Sequence, residues 1–280
     1  MIFKKVTIIG VGLIGGSIGE AIIKKRLAGT VIGVGHRASS INEALDRGAI
    51  DKGTLDAVKG VAGADLVIIA TPVCLIPETA RKISRSLKKG CVVTDVGSTK
   101  AEIVASLEHI LPKGVDFVGS HPLAGSEKRG IEFAQDNLFR GSIVIMTKTK
   151  KTKRSALAKL SGFWKSFGVE RVVIKSPEEH DRIVAEISHL PHIAAAAIVN
   201  TASDKSLEFA SSGFKDTTRI AASDPGIWRD ICVTNRKEIL KAIERYERNI
   251  SRLKKLIKSG SASRLSKEFE RSKARREKLS

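Results

Sequence analysis

The stretch IIGVGLIGGS, residues 8–17, decides the fold. Four β-branched residues, Val6 to Ile9, run straight into Gly10, Gly12 and Gly15, which fall as G-x-G-x-x-G. An apolar helical segment from Leu13 to Lys25 follows at once. A strand, a glycine turn and a helix in that order build a seat for a dinucleotide. The first glycine permits the tight turn, the second lets the backbone approach a pyrophosphate, and the third allows close helix–strand packing. The phosphates then face a helix N-terminus, whose unpaired N–H groups and dipole favour anions. Gly10, Gly12, Leu13, Ile14 and Gly15 are therefore the expected cofactor-binding residues of this turn.

About twenty residues further on, GVGHRASS (33–40) closes a second expected strand, Val31–Val34. A carboxylate at this place holds the ribose 2′-hydroxyl of NAD and repels a 2′-phosphate. Here the chain carries His36, Arg37, Ser39 and Ser40 instead. Arg37 can pair with a phosphate through its planar fork, and the two serines can add hydroxyl donors. The expectation is a site that selects NADP, with NAD possible.

Working outward, short β-branched runs alternate with amphipathic segments. Leu66–Ala70 and Cys91–Asp95 are apolar on nearly every residue, as parallel strands covered on both faces require. Helices are expected near residues 40–47 and 76–87, and from Thr99 to about Leu111, where Thr99 and Glu102 spell a capping box. Phe117–Gly119, Ser142–Met146 and Val172–Ile174 are the last strand candidates. Ser176-Pro177-Glu178-Glu179 is a second capping box, and no strand is expected beyond it. Residues 183–203 form one apolar helix, or two meeting at Pro191. Ile239, Ile243, Tyr246, Ile250, Leu253 and Ile257 make one helical stripe suited to a partner helix. The fold class is α/β. A Rossmann-like, doubly wound, mostly parallel sheet (1–174) precedes an all-helical domain (175–280) with a basic tail from about residue 260.

Composition narrows the function classes. Of 280 residues 42% are hydrophobic but only 4% aromatic, so the core is expected to be mostly Ile, Val, Leu and Ala. Cys74, Cys91 and Cys232 form no C-x-x-C pair, which argues against a disulfide framework or a metal site and fits a reducing cytosol. No hydrophobic stretch approaches the length of a membrane span, and the N-terminal residues lack the pattern of a signal peptide. A soluble cytoplasmic protein is expected, without a membrane partner. The net charge is +19, and residues 236–280 hold 16 Lys+Arg against 6 Asp+Glu. Such a balance attracts polyanions. No nucleic-acid motif accompanies it and aromatics for base stacking are scarce, so no nucleic-acid partner is expected.

Ligands of such a sheet lie beyond the carboxyl ends of its strands. IIATPV (68–73) ends one strand with Thr71 and Pro72, on the cofactor side. TDVGSTK (94–100) ends the next and places Ser98 at a helix start, where an isolated serine commonly does no more than cap. GSHPLAGSEKRG (119–130) presents His121 and, six residues on, Glu127. A histidine beside a nicotinamide can accept a proton from an alcohol while hydride leaves the same carbon. In SHLPH (188–192), His189 and His192 lie three apart; they are an incomplete zinc site, and packed core histidines fit the spacing equally well. SSGFKDTTRIAASDPGIWRDI (211–231) carries Gly213, Arg219 and Trp228, and an arginine in a cleft-facing segment suits a carboxylate substrate.

IIGVGLIGGS, TDVGSTK, GSHPLAGSE, SHLPH and GFKDTTRIAASDPGIW occur together and in order, and this set resembles the prephenate/arogenate dehydrogenase family of tyrosine biosynthesis up to about residue 258. The resemblance implies an NAD(P)-dependent oxidative decarboxylation of a cyclohexadienol, with prephenate or arogenate as substrate. It implies that His121 accepts the hydroxyl proton and that Ser98 orients that histidine near the hydroxyl. It makes Arg219 the holder of a substrate carboxylate. His192, Gly213 and Trp228 would line the pocket, with His189 beside them and Glu127 near its mouth. It also implies a homodimer formed through the helical domain. Prephenate and arogenate differ by a keto against an amino group, and no residue here reads that difference. Two rivals compete with this reading. A β-hydroxyacid-type NADP-dependent dehydrogenase would use a lysine of the second domain, for which Lys205 is the candidate, and a nucleic-acid-binding or sensory protein of the same fold would carry no turnover.

Overall fold

The computed structural model describes residues 1–125, 128 and 130–279. Six parallel strands form the main sheet: β1 Phe3–Ile9, β2 Ala28–Val34, β3 Lys52–Thr54, β4 Leu66–Ile69, β5 Val92–Asp95 and β6 Asp116–Phe117. Their spatial order is β3-β2-β1-β4-β5-β6, so the chain reverses direction across the sheet between β1 and β4. Helices α1 Leu13–Lys24, α2 Ala38–Asp46, α3 Ala57–Val61, α4 Ile76–Ile83 and α5 Ala101–Ile110 make the crossovers. β3 and α3 have no counterpart in the sequence reading: one is three residues of a polar sheet edge, the other a single turn started by the Asp56 cap.

Alternation along β1 divides the core. Ile8 packs with Ile18, Ile22 and Trp164 on one face, and Ile9 packs with Val67, Ile69 and Ile83 on the other. The core is not wholly aliphatic. Phe3, Phe139, Phe163, Trp164 and Phe167 cluster with ring centroids 4.8–5.9 Å apart, concentrating the few aromatics in one place.

The last strand candidates do not all extend the main sheet. Only β6 joins it; β7 Ser120–Pro122, β8 Ile143–Thr147 and β9 Arg171–Lys175 form a separate three-stranded sheet, with α6 Arg154–Lys165 between β8 and β9. β7 runs antiparallel to β8, which turns the chain away after β6 and pairs His121 with Ile145.

Beyond β9 the described residues are helical or irregular: α7 Pro177–Val184, α8 Leu190–Thr201, α9 Asp204–Leu207, α10 Ser212–Thr218, α11 Pro225–Thr234, α12 Arg236–Lys258 and α13 Ala262–Glu277. The Ser176–Glu179 capping box at α7 forms with both of its bonds. A π-helical turn, Ala185–His189, joins α7 to α8. Pro191 cannot donate to a carbonyl one turn back, and the widened turn before it lets the helix continue instead of breaking. The joined helix, 177–201, is thereby 25 residues long and apolar enough to cross a membrane by length and composition, longer than the sequence reading allowed. It carries the buried groups His180, Asp181, His189 and His192, which bond or pack within the protein. Ile239 and Ala242 of α12 pack with Ala185 and Ile231, whereas Ile250 and Ile257 further along the stripe remain exposed.

Candidate active site

Parallel register brings the strand ends level. Ile9 lies beside Val34 and Ile69, and Ile69 beside Asp95, so the segments that follow them share one rim. At that rim Gly10 has φ +98°, and a Cβ there would stand 2.5 Å from the Ala70 carbonyl oxygen and 3.2 Å from the Thr71 nitrogen. A Cβ on Gly15 would stand 1.9 Å from the Gly10 oxygen, which enforces the close helix–turn approach. At Gly12 a Cβ would meet nothing within 4 Å; the missing side chain leaves open space in front of the turn. Gly12 caps α1 without a side-chain bond and the first turn holds no acid, so the N–H groups there face that space unmasked. The buried Thr71 Oγ1, across from Gly10, has no partner among the described residues. This cradle fits a dinucleotide pyrophosphate.

His36, Arg37 and Ser39 are exposed beyond the end of β2, and Ser40 is half-buried in the first turn of α2. Arg37 is the N-cap residue of α2, whose first turn has no acidic side chain. The rim beyond β2 is therefore cationic or neutral where the adenosine end of a dinucleotide would lie.

Hydroxyl contacts at Ser120 tie β7, which carries His121, to β5 and α6. The Trp164 indole donates to Ser120 Oγ at 3.1 Å, and Ser120 Oγ meets Thr94 Oγ1 at 2.9 Å. Gly125, four residues after His121, lies against the first turn of α1: a Cβ there would lie 3.7 Å from Ile14 Cδ1. Glu127 lies outside the described residues.

His121 Nδ1 is 2.8 Å from His180 Nε2, and His180 Nδ1 is 2.8 Å from Asp181 Oδ1. Asp181 also accepts the backbone N–H of Lys100 at Oδ1 (2.7 Å) and of Ala101 at Oδ2 (2.9 Å). Burial raises the Asp181 carboxyl above its ordinary range, opposed by the donors on both its oxygens, whose geometry is that of a carboxylate at a helix N-terminus. Its charge sets the tautomers: His180 donates from Nδ1 to Asp181 and accepts at Nε2, so His121 donates from Nδ1 and keeps a bare Nε2. Burial, reinforced by His180 and Lys100, holds His121 well below the ordinary histidine value, and burial does the same to His180. Both rings are neutral at pH 7, and His121 is a free base there.

This arrangement revises the expectation at Thr99. The capping box with Glu102 does not form; α5 begins at Ala101, and Asp181 of α7 caps it from the other domain. Thr99 Oγ1 instead meets Thr234 Oγ1 at 3.0 Å, tying the same loop to α11. Ser98 is half-buried, its hydroxyl without a partner among the described residues; the side chain that bonds His121 is His180.

From Asp181 the contacts continue to the helical domain. Asn235 Nδ2 donates to the Asp181 carbonyl at 2.8 Å and lies 3.1 Å from His189 Nδ1. Trp228 meets His189 edge-on at 6.0 Å and stacks on His192 at 3.5 Å. Burial lowers His189 to about 4 against the opposing pull of Asp181, so it too is neutral. The His189–His192 pair flanks the Trp228 indole, and among the described residues no group of three His, Cys, Asp or Glu is placed to hold a metal. Arg219 and Gly213 are exposed, on the turn after α10 and on α10 itself. Lys205, required by the β-hydroxyacid alternative, is exposed on α9.

His180, Asp181, Asn235 and Lys100 were missed by sequence reading. Their signal was faint: a His-Asp pair in the second turn after a capping box, facing a strand end about sixty residues earlier.

A glycine-cradled dinucleotide turn, a neutral histidine base beyond the strand ends and a helical domain whose His180 bonds that base define a two-domain nicotinamide-dependent oxidoreductase. Comparison with known proteins narrows the class. Residues 18–173 match the model of the prephenate dehydrogenase nucleotide-binding domain, and residues 176–271 match that of the prephenate dehydrogenase dimerization domain. The prephenate dehydrogenase of Bacillus subtilis is 37% identical over 277 residues, covering 96% of this chain and 74% of that protein. The crystal structure of Aquifex aeolicus prephenate dehydrogenase with hydroxyphenyl propionate and NAD+ superposes with a TM-score of 0.92 at 38% identity, covering 99% and 98% of the two chains. Synechocystis arogenate dehydrogenase gives a TM-score of 0.85 at 29% identity, covering 99% and 100%. The chain belongs to the prephenate dehydrogenase family.

Proposed function

We propose that this protein catalyses the oxidative decarboxylation of prephenate, arogenate or both, with NADP favoured over NAD, in the synthesis of tyrosine. The observation that carries the reading is the His121–His180–Asp181 chain, which leaves a bare, neutral Nε2 on His121, four residues before Gly125, which lies against Ile14 of the glycine turn's helix. The nicotinamide supplies the hydride acceptor. His121 Nε2 takes the proton of the ring hydroxyl as hydride leaves the carbinol carbon. The electrons of the breaking bond to the ring carboxylate enter the ring, carbon dioxide departs, and the protonated His121 returns its proton to the phenolate oxygen so that a phenol leaves and the base is restored. Aromatisation drives the step, so the chain must mainly position donor and acceptor, remove one proton and anchor a dianion.

In this reading Ser98 meets the hydroxyl from the β5–α5 loop and Arg219 holds a substrate carboxylate. His192, Trp228, His189 and Gly213 line the substrate side, and Glu127 stands near the mouth. NADP preference rests on the absence of an acid beyond β2 and on Arg37 at the α2 N-terminus. A homodimer is supported by the joined helix 177–201, most of whose apolar window stays uncovered in one chain, and by the exposed Ile250 and Ile257 of α12. All three cysteines are free, as a reducing cytoplasm would keep them.

The test is a four-way assay pairing prephenate or arogenate with NAD or NADP, followed by reduced-nicotinamide absorbance. Turnover with NADP well above NAD supports the whole reading. Equal or better rates with NAD retain the reaction and overturn the cofactor preference. Silence in all four, with folded protein, overturns the substrate.

A further inference from the structure

The most deeply buried cation in the described chain is one the reaction does not use. Lys100 is fully buried beneath the β5–α5 loop. Its Nζ donates to Asp95 Oδ2 at 2.5 Å, to the Gly97 carbonyl at 2.7 Å and to the Thr99 carbonyl at 2.9 Å. An ammonium has three N–H groups, and all three are matched. The two carbonyls it grips belong to the residues on either side of Ser98. Asp95 Oδ2 closes the ring by accepting the Gly97 N–H at 2.8 Å.

The surroundings remove the slack. A Cβ on Gly97 would lie 3.0 Å from Asp95 Oδ2, from Ile103 Cδ1 and from Ile76 Cδ1, so the loop is packed on three sides. The lysine stem passes beside Gly119, two residues before His121, where a Cβ would lie 3.1 Å from Lys100 Cδ. The backbone N–H of Lys100 is itself fixed by Asp181, the far end of the histidine chain. One residue therefore touches both the loop that presents Ser98 and the network that orients His121.

Burying a lysine–aspartate pair is expensive, and well-packed apolar residues of similar volume are often as stable or more so. Stability is thus a weak reason for placing a charge pair here. We propose that the Asp95–Lys100 pair is a positioning clamp, holding the Gly97–Thr99 backbone so that the Ser98 hydroxyl meets the substrate in register with His121. The inference rests on the reading of Ser98 as a substrate-contacting residue.

The experiment is a double-mutant cycle on the full-length enzyme, using whichever substrate and cofactor turn over. Ser98→Ala, the charge-neutral pair variant Asp95→Asn with Lys100→Met, and the triple variant are compared for kcat, KM, cofactor binding by direct titration, and Tm. Misplacement of a contacting group should lower kcat about tenfold or more in the pair variant, with cofactor binding retained. If the pair acts through Ser98, the triple variant loses no more than about twofold beyond Ser98→Ala, because coupled residues are not additive. Wild-type kcat in the pair variant, or losses that multiply in the triple variant, overturn the clamp while leaving Ser98 in place. Full activity in Ser98→Ala overturns the reading of that serine, and the clamp's purpose with it. Should the pair variant not fold, Lys100→Gln keeps two N–H donors for the same acceptors, and the cycle is run with it under the same criteria.

Discussion

His121 Nδ1 and His180 Nε2 stand 2.8 Å apart, a contact between the second sheet of the first domain and the first helix of the second. Because Asp181 holds the far nitrogen of His180, this one bond fixes which nitrogen of His121 is bare. His180→Ala should therefore lower kcat about 10- to 100-fold by freeing the ring and its tautomer, a milder loss than removing the base itself. His121→Ala should abolish turnover while cofactor titration stays unchanged. Steady-state kinetics beside direct cofactor binding checks both; full kcat in His180→Ala would remove the relay from the mechanism.

The same burial gives a pH prediction. A base held well below the ordinary histidine value remains deprotonated as pH falls through 6.5. The acid limb of the kcat/KM profile is expected well below that pH, and a limb centred at an ordinary histidine value would show His121 to be solvated in the free enzyme.

Stability should follow pH in the matching direction. His121, His180 and His189 are all lowered in the folded chain, His189 to about 4. Above 6.5 neither folded nor unfolded rings bind protons, and the stability is fully present. Between about 6.5 and 4 the unfolded histidines bind protons that the folded ones do not, so Tm should fall through that window, less steeply at its acid end because burial raises Asp95 and Asp181 in the folded chain. A flat Tm from pH 7 to 5, measured by calorimetry, contradicts burial of these rings.

At the adenosine end, Arg37→Ala should weaken NADP about tenfold or more and leave NAD nearly unaffected, because only the 2′-phosphate offers a partner for the guanidinium fork. Parallel titrations of the two cofactors decide it. Equal losses for both would make Arg37 a general contact.

The proposed pairing of two chains through the helical face predicts a dimer in light scattering that Ile250→Asp with Ile257→Asp turns into a monomer, since both side chains are exposed on the α12 stripe of one chain. An unchanged mass would place the subunit contact elsewhere.

Much of this was legible because it is local. The glycine turn, the apolar strands Leu66–Ile69 and Val92–Asp95, the Ser176 capping box and the α12 stripe all rest on spacings within one element. The Thr99–Glu102 box misled for the complementary reason: its residues have the right spacing, but α5 starts one residue later, with Lys100 at its N-cap, where a carboxylate from α7 takes the Lys100 and Ala101 N–H groups. Pro191 left two readings open, and a π-helical turn that no local pattern announced let the helix run on.

By itself the sequence determined the dinucleotide turn, the two-domain division of character and the identity of His121 and Ser98 as rim residues, because turn sterics and side-chain periodicity act over a few residues. Only the tertiary structure decided what makes His121 a base. His180, Asp181, Lys100 and Asp95 meet because β7 turns out of the main sheet and α7 docks on the start of α5. Burial and hydrogen bonding between segments up to 81 positions apart set the protonation states, and those are properties of the packed interior rather than of any stretch of chain.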